Sequence, residues 1–194
     1  MKTLFGGLLL MMSRLQMGLI WIIIFCAITF LCFVTMPKAQ ELEIKNPKSF
    51  LMERIPLFEG FSATRYGDFV TKGCILQGYG RCVNNMKTPA TISKATADKW
   101  LAADLIKCEK KLDTHLPWWR NASVVRQAAL LDMTYNMGID KLKTFKQFLH
   151  HMKNQNYFQA SKCLDGSRWS KQVGVRSREI RHAIKHDKWI AMKK

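Results

Sequence analysis

Acidic residues are scarce in this chain. Asp and Glu number 14 among 194 residues, against 31 Lys and Arg, for a formal net charge of +17. Residues 1–40 contain no acid at all, only Lys2, Arg14 and Lys38, and the remainder carries 28 basic and 14 acidic side chains. A surface so basic seeks a polyanion. Nucleic acid is the usual candidate, but the sequence has no recognisable nucleic-acid module, no zinc-finger spacing and no Gly-rich phosphate loop, so no nucleic-acid partner is expected. Wall peptides, teichoic acids and lipid headgroups are polyanions of another kind. Cys-x-x-Cys and matching His spacings are also missing, which argues against a metal. No organic cofactor is implied either.

Charge is absent altogether from Leu15 to Pro37, a run of 23 residues. A cleavable signal has an apolar core of roughly 7–15 residues, whereas a spanning helix needs about 20. Length therefore predicts a retained signal anchor over residues 1–40, with the membrane as a partner through this segment. The alternative is a long cleaved signal, cut near Ala39, although Pro37 stands where a small residue is wanted. Residues 41–47 read as a tether, and 48–194 as one globular domain, exported and taken to be a monomer.

Six cysteines divide by position. Cys26 and Cys32 lie in the apolar run. Cys74, Cys82, Cys108 and Cys163 lie in the domain, an even set that suits an oxidising compartment and allows three pairings. Cys74 and Cys82 flank the Gly78-Tyr79-Gly80 turn and could face each other across a hairpin, which would leave Cys108 with Cys163. Four unpaired buried thiols are the other reading.

Along the domain, a helix is expected over Lys48–Phe58, disturbed by Pro56. Asp68 to Val83 reads as a small antiparallel sheet with turns at Gly73, Gly78 and Gly80. Ser93 looks like the N-cap of a long helix to about Leu112, with Trp100, Leu101, Leu105 and Cys108 on one face. The most apolar helix runs from Val124 to a stop at Gly138. Two shorter helices follow, Leu142–His151 and Tyr157–Leu164. His150 and His151, adjacent on a helix, point in different directions and read as a solvated pair.

Glu59 and Asp68 stand nine positions apart, with Tyr66 between them. Two carboxylates in one cleft are the minimal equipment for glycoside hydrolysis: one protonates the leaving oxygen, and the other activates water or supports the positive charge on the sugar ring. The spacing alone is weak evidence, because most surface carboxylate pairs are merely solvated. The surrounding residues are more specific. Glu59-Gly60, Tyr66, Asp68 and Gly78-Tyr79-Gly80 occur in the order seen in the phage-type lysozymes, the endolysin family known as glycoside hydrolase family 24. Arg176 and Trp189, seven and twenty positions after Trp169, match its C-terminal pattern. The chain resembles this family from about Phe58 to Trp189.

The resemblance implies an α+β, lysozyme-like fold: a small β-sheet lobe and a larger helical lobe joined by a long helix, with the cleft between them. It implies a muramidase acting on peptidoglycan at the β-1,4 bond between N-acetylmuramic acid and N-acetylglucosamine. Glu59 would be the general acid and Asp68 the second carboxylate, with Tyr66 in support. Arg176 would reach the cleft to pair with Glu59, orienting it while tending to lower its pKa; otherwise Arg176 is a surface charge like Arg178 and Arg181. Asn136 would face the cleft and contact substrate, or else simply cap its helix. An anchored phage or prophage endolysin that lyses its host fits this set, as does a bacterial wall-remodelling enzyme. One departure stands out. The family pattern has Thr where Leu76 falls when counting back from Gly78, and Cys74 when counting forward from Asp68; Thr71 fits neither count. That departure supports a second reading, a wall-binding protein with the lysozyme fold and little catalysis.

Overall fold

Asn46 opens the first helix, α1 (Pro47–Glu59), by accepting hydrogen bonds from the amides of Lys48 and Ser49. Pro47 fills the first helical position, where a missing N–H costs nothing. Pro56 does not break the helix. It removes one amide bond, and α1 continues to Glu59 because fully buried Leu51 and Ile55 hold it on the core. Gly60 ends it at φ +70°, donating to the Pro56 carbonyl at 3.1 Å. This computed structural model describes residues 41–68, 73–84 and 87–191, without the side chain of Asp68. They lie in a unit Gln40–Lys194 that is separate from Met1–Ala39. The expected anchor lies outside the described residues, among which no helix is long and apolar enough to cross a membrane.

After α1 the chain folds into a three-stranded antiparallel sheet: β2 (Ser62–Asp68), β3 (Cys74–Gly78) and β4 (Arg81–Cys82). A two-residue strand, β1 (Glu41–Leu42), precedes α1. The sheet starts six residues before the expected Asp68. Ser62-Ala63-Thr64-Arg65 has little strand character of its own, and tertiary partners hold it. Buried Gln77 donates to the carbonyls of Ala63, Pro89 and Ala90 at 2.9–3.3 Å. Cys74 and Cys82 form a disulfide across β3 and β4, with Cα atoms 5.7 Å apart. The expected partner bond does not form, and Cys108 and Cys163 are free thiols. Cys108 lines the large cleft, whereas Cys163 lines a small pocket with Phe145 and Phe148.

The long helix α2 (Lys94–His115) starts at Ser93, which accepts from the Thr96 amide, and buries Ala97, Leu101, Leu105 and Leu112. It ends about one turn beyond the expected Leu112. A short 3₁₀ segment, Pro117–Asn121, leads to α3 (Val124–Met137) at the centre of the helical lobe, where every residue from 128 to 134 is buried. Gly138 stops α3 at φ +80°. The next helix, expected in one piece, is two: α4 (Ile139–Lys143) and α5 (Lys146–Lys153). The break falls at Thr144, whose hydroxyl donates to the Lys141 carbonyl at 2.7 Å, a local bond that competes with helix continuation. Then follow α6 (Tyr157–Leu164), as expected, α7 (Arg168–Val173) and α8 (Val175–His186).

The chain closes with β5 (Trp189–Ile190), antiparallel to β1. Glu41 and Leu42, read from sequence as tether, are therefore built into the domain. Lys188 pairs with Glu41 at 3.1 Å, and fully buried Trp189 meets Phe50 edge-on at 4.9 Å. A two-residue pairing across the whole domain leaves no local signal.

Candidate active site

Glu59 stands where α1 ends, at the junction of two cavities. The larger, about 630 Å³, lies between the sheet, α2 and the end of α3. The smaller, about 340 Å³, lies against α7 and the start of α8. Among the described residues, only Glu59 and Asn136 line both. The side chain of Glu59 is 26% exposed, open enough to meet a ligand and covered enough to be held in place.

The holding group is Arg176, 3% exposed on α8. Its Nη1 donates to Glu59 Oε1, while its Nε (3.1 Å) and Nη2 donate to Asp132 Oδ1 on α3. The guanidinium also lies over the Phe58 ring, 5.3 Å from its centroid. Burial alone would push the Arg176 pKa down, but the Asp132 and Glu59 carboxylates outweigh it and raise the pKa, so the cation persists at any ordinary pH. Arg176 is thus a cleft residue and not a surface charge. Sequence reading missed Asp132. The available signal was an acid inside Leu130-Leu131-Asp132-Met133, the most apolar stretch of the domain, because a carboxylate is almost never buried there without a cation. Glu59 Oε2 has no hydrogen-bond partner among the described residues and faces Gly80, where an added Cβ would lie 3.9 Å away.

Asn136 is fixed as firmly. Its Oδ1 accepts from the indole N–H of buried Trp169 at 2.8 Å. Indole only donates, so this bond determines which end of the amide is the oxygen and leaves the Nδ2 donors for the cleft. Gly138, not Asn136, caps α3. Tyr135 donates to the Tyr79 carbonyl at 2.9 Å, and the Tyr79 hydroxyl donates to Asp98 at 2.8 Å, tying α3, the sheet turn and α2 together. Burial raises both phenol pKa values, that of Tyr79 to about 12 with help from its bond to Asp98.

The sheet wall is different. β2 and β3 pair Tyr66 with Leu76 and Asp68 with Cys74, and β4 pairs Cys82 with Leu76. Tyr66, Leu76, Cys74 and Cys82 all line the larger cavity. This wall therefore presents a leucine and a disulfide to the cleft. The backbone of Asp68 lies beside cleft-lining Cys74; its side chain, and all of Thr71, lie outside the described residues. His150 and His151 sit away from these cavities, and no group of three metal-binding side chains occurs among the described residues.

A family model described as phage lysozyme matches residues 56–183, which include Glu59, Asp132, Asn136 and Arg176. The chain is also similar to probable T4-type lysozyme 1 of Dictyostelium discoideum, 23% identical over 97 residues. That alignment covers 48% of this chain and 57% of the relative, so the chain spans little more than half of that relative's length. With the family model covering most of the domain and every fixed group of the cleft, the chain belongs to the phage lysozyme family.

Proposed function

We propose that this protein is a peptidoglycan hydrolase, a muramidase that cleaves the β-1,4 bond between N-acetylmuramic acid and N-acetylglucosamine. The observation that carries this reading is Glu59 at the meeting point of two cavities, one oxygen held by Arg176 and the other directed at the cleft. In the proposed reaction Glu59 protonates the leaving glycosidic oxygen from Oε2, and Asp68 supports the oxocarbenium-like transition state or activates water. Asn136 Nδ2 offers donors to the sugar, and Tyr66 flanks it. The protein acts outside the cytoplasm, held by its N-terminal apolar run, as a phage or prophage endolysin in host lysis.

The test is digestion of purified peptidoglycan in ¹⁸O-labelled water with mass analysis of the fragments. The reading requires new N-acetylmuramic acid reducing ends carrying one labelled oxygen at C1. Ends on N-acetylglucosamine, or no new ends, would overturn it. The sheet wall favours a second reading: with Leu76 and a disulfide lining the cleft, a wall-binding protein of low turnover would hold the same strands and release few or no ends.

A further inference from the structure

The outward face of α8 is basic. Its inward face buries Ile180, Ala183 and Ile184 on the core. Arg178, Arg181, His182, Lys185 and His186 recur at helical spacing and, with buried Ser161 of α6, line a cavity of about 260 Å³. None of the six lines either arm of the cleft. Among the described residues, no carboxylate lines this cavity. The nearby acids are engaged: Asp165 holds Arg181 Nη1 at 2.6 Å, and Asp187, just past the helix end, pairs with Arg126 at 3.0 Å. Arg178, Lys185 and the two histidines have no ion-pair partner among the described residues.

Like charges three and four positions apart repel on a helix, so this stacking is unfavourable unless something negative lies over it. Two details suit the oxygens of an anion. The Nε of Arg181 is buried without a hydrogen-bond partner among the described residues, a donor whose desolvation nothing offsets. His182 is oriented by its Nδ1, which donates to the Lys188 carbonyl at 2.8 Å. That leaves Nε2 free, and an adjacent anion favours the imidazolium, in which Nε2 also donates. A carboxylate would meet this set with a single charge. A phosphate group brings about two charges at neutral pH and several strong acceptor oxygens, and guanidinium forks match it two bonds at a time. We propose that Arg178, Arg181, His182 and Lys185 form a binding site for a phosphate group, separate from the cleft and independent of the hydrolase reading. Free phosphate and the phosphodiester of a lipid headgroup share this chemistry.

The test titrates the full-length protein, held in detergent, with inorganic phosphate, glycerophosphoglycerol and acetate at one ionic strength. Inorganic phosphate should bind about tenfold more tightly than acetate. Arg178→Gln with Lys185→Gln, both exposed in the fold, should weaken phosphate binding about tenfold. Lys146→Gln with Lys153→Gln, an equal charge change on α5, should leave it within about twofold. Glycerophosphoglycerol, the headgroup diester of phosphatidylglycerol, separates the sources. Binding as tight as that of phosphate assigns the site to a lipid headgroup, and weaker binding assigns it to free phosphate. Without any substitution, phosphate should move the imidazole C–H proton signals of His182 and His186 and leave those of His115, His150 and His151 in place. The proposal is overturned if phosphate binds no better than acetate, or if its binding survives the α8 substitutions. It is equally overturned if the α5 pair weakens binding as much, or if all 5 histidines respond alike.

Discussion

The two walls of the cleft are built on opposite plans. The helical wall is a chain of polar side chains, in which Asp132 fixes Arg176, Arg176 fixes Glu59, and Trp169 fixes Asn136. Each group has its hydrogen-bond direction set by a buried neighbour, so the acid is held before any ligand arrives. The sheet wall is covalently closed and apolar at Leu76 and the Cys74–Cys82 bridge. Under the proposed reading, the helical wall serves protonation of the leaving oxygen and the sheet wall the handling of water. Substitutions on each side can sharpen or break that contrast.

Arg176→Ala should have the largest effect. It leaves Asp132 buried without its cation, at a cost of about 3–5 kcal/mol, and frees Glu59. Denaturant unfolding should show that loss alongside a collapse of activity. A change below about 1 kcal/mol would mean that these polar side chains do not hold the acid.

Leu76→Thr acts on the other wall. If water handling limits turnover, a hydroxyl there should raise the rate several-fold, up to about tenfold, with little change in stability. An unchanged or lower rate would remove the sheet wall from the account.

Tyr135→Phe removes the bond to the Tyr79 carbonyl that links the two walls. It should cost about 1 kcal/mol, read as a lower thermal midpoint. No loss would show that the walls are joined by packing alone.

The smallest effect lies away from the cleft, where Lys48 (2.7 Å) and Arg120 (2.9 Å) both bond Glu109. Partial burial raises the Glu109 pKa, but the two cations outweigh it and hold it below the ordinary 4.5. A depressed carboxylate contributes its stability above the unfolded pKa and loses it as pH falls through the folded value. The midpoint gap between the unmodified protein and Glu109→Gln should therefore be full at neutral pH and shrink below pH 4.5. A gap that widens in acid would reverse the sign of this argument.

The start of α2 at Ser93 and the end of α3 at Gly138 were legible in the sequence, because caps and glycine stops act locally; Asn46 and Gly60 bound α1 in the same way but were not read as its cap and stop. The Arg176 partnership was legible only through its offset from Trp169 in a family pattern. Asp132 was not, since its role exists only once α8 crosses α3. Gln77 reads as an ordinary strand residue until three carbonyls converge on its amide. Cys108 and Cys163 invited pairing by elimination, and elimination carries no geometry: one lines the cleft and the other a separate pocket. The β1–β5 pair closes the domain across nearly its whole length, a contact that no local pattern encodes.

The most direct test of the central claim is the rate of reducing-end release from purified peptidoglycan, measured for the unmodified protein and for Glu59→Gln at equal amounts of wall-bound protein. The account predicts that the substitution leaves binding intact and lowers the rate by about 10²–10⁴-fold. Equal rates for the two proteins would contradict it and move the chemistry away from Glu59.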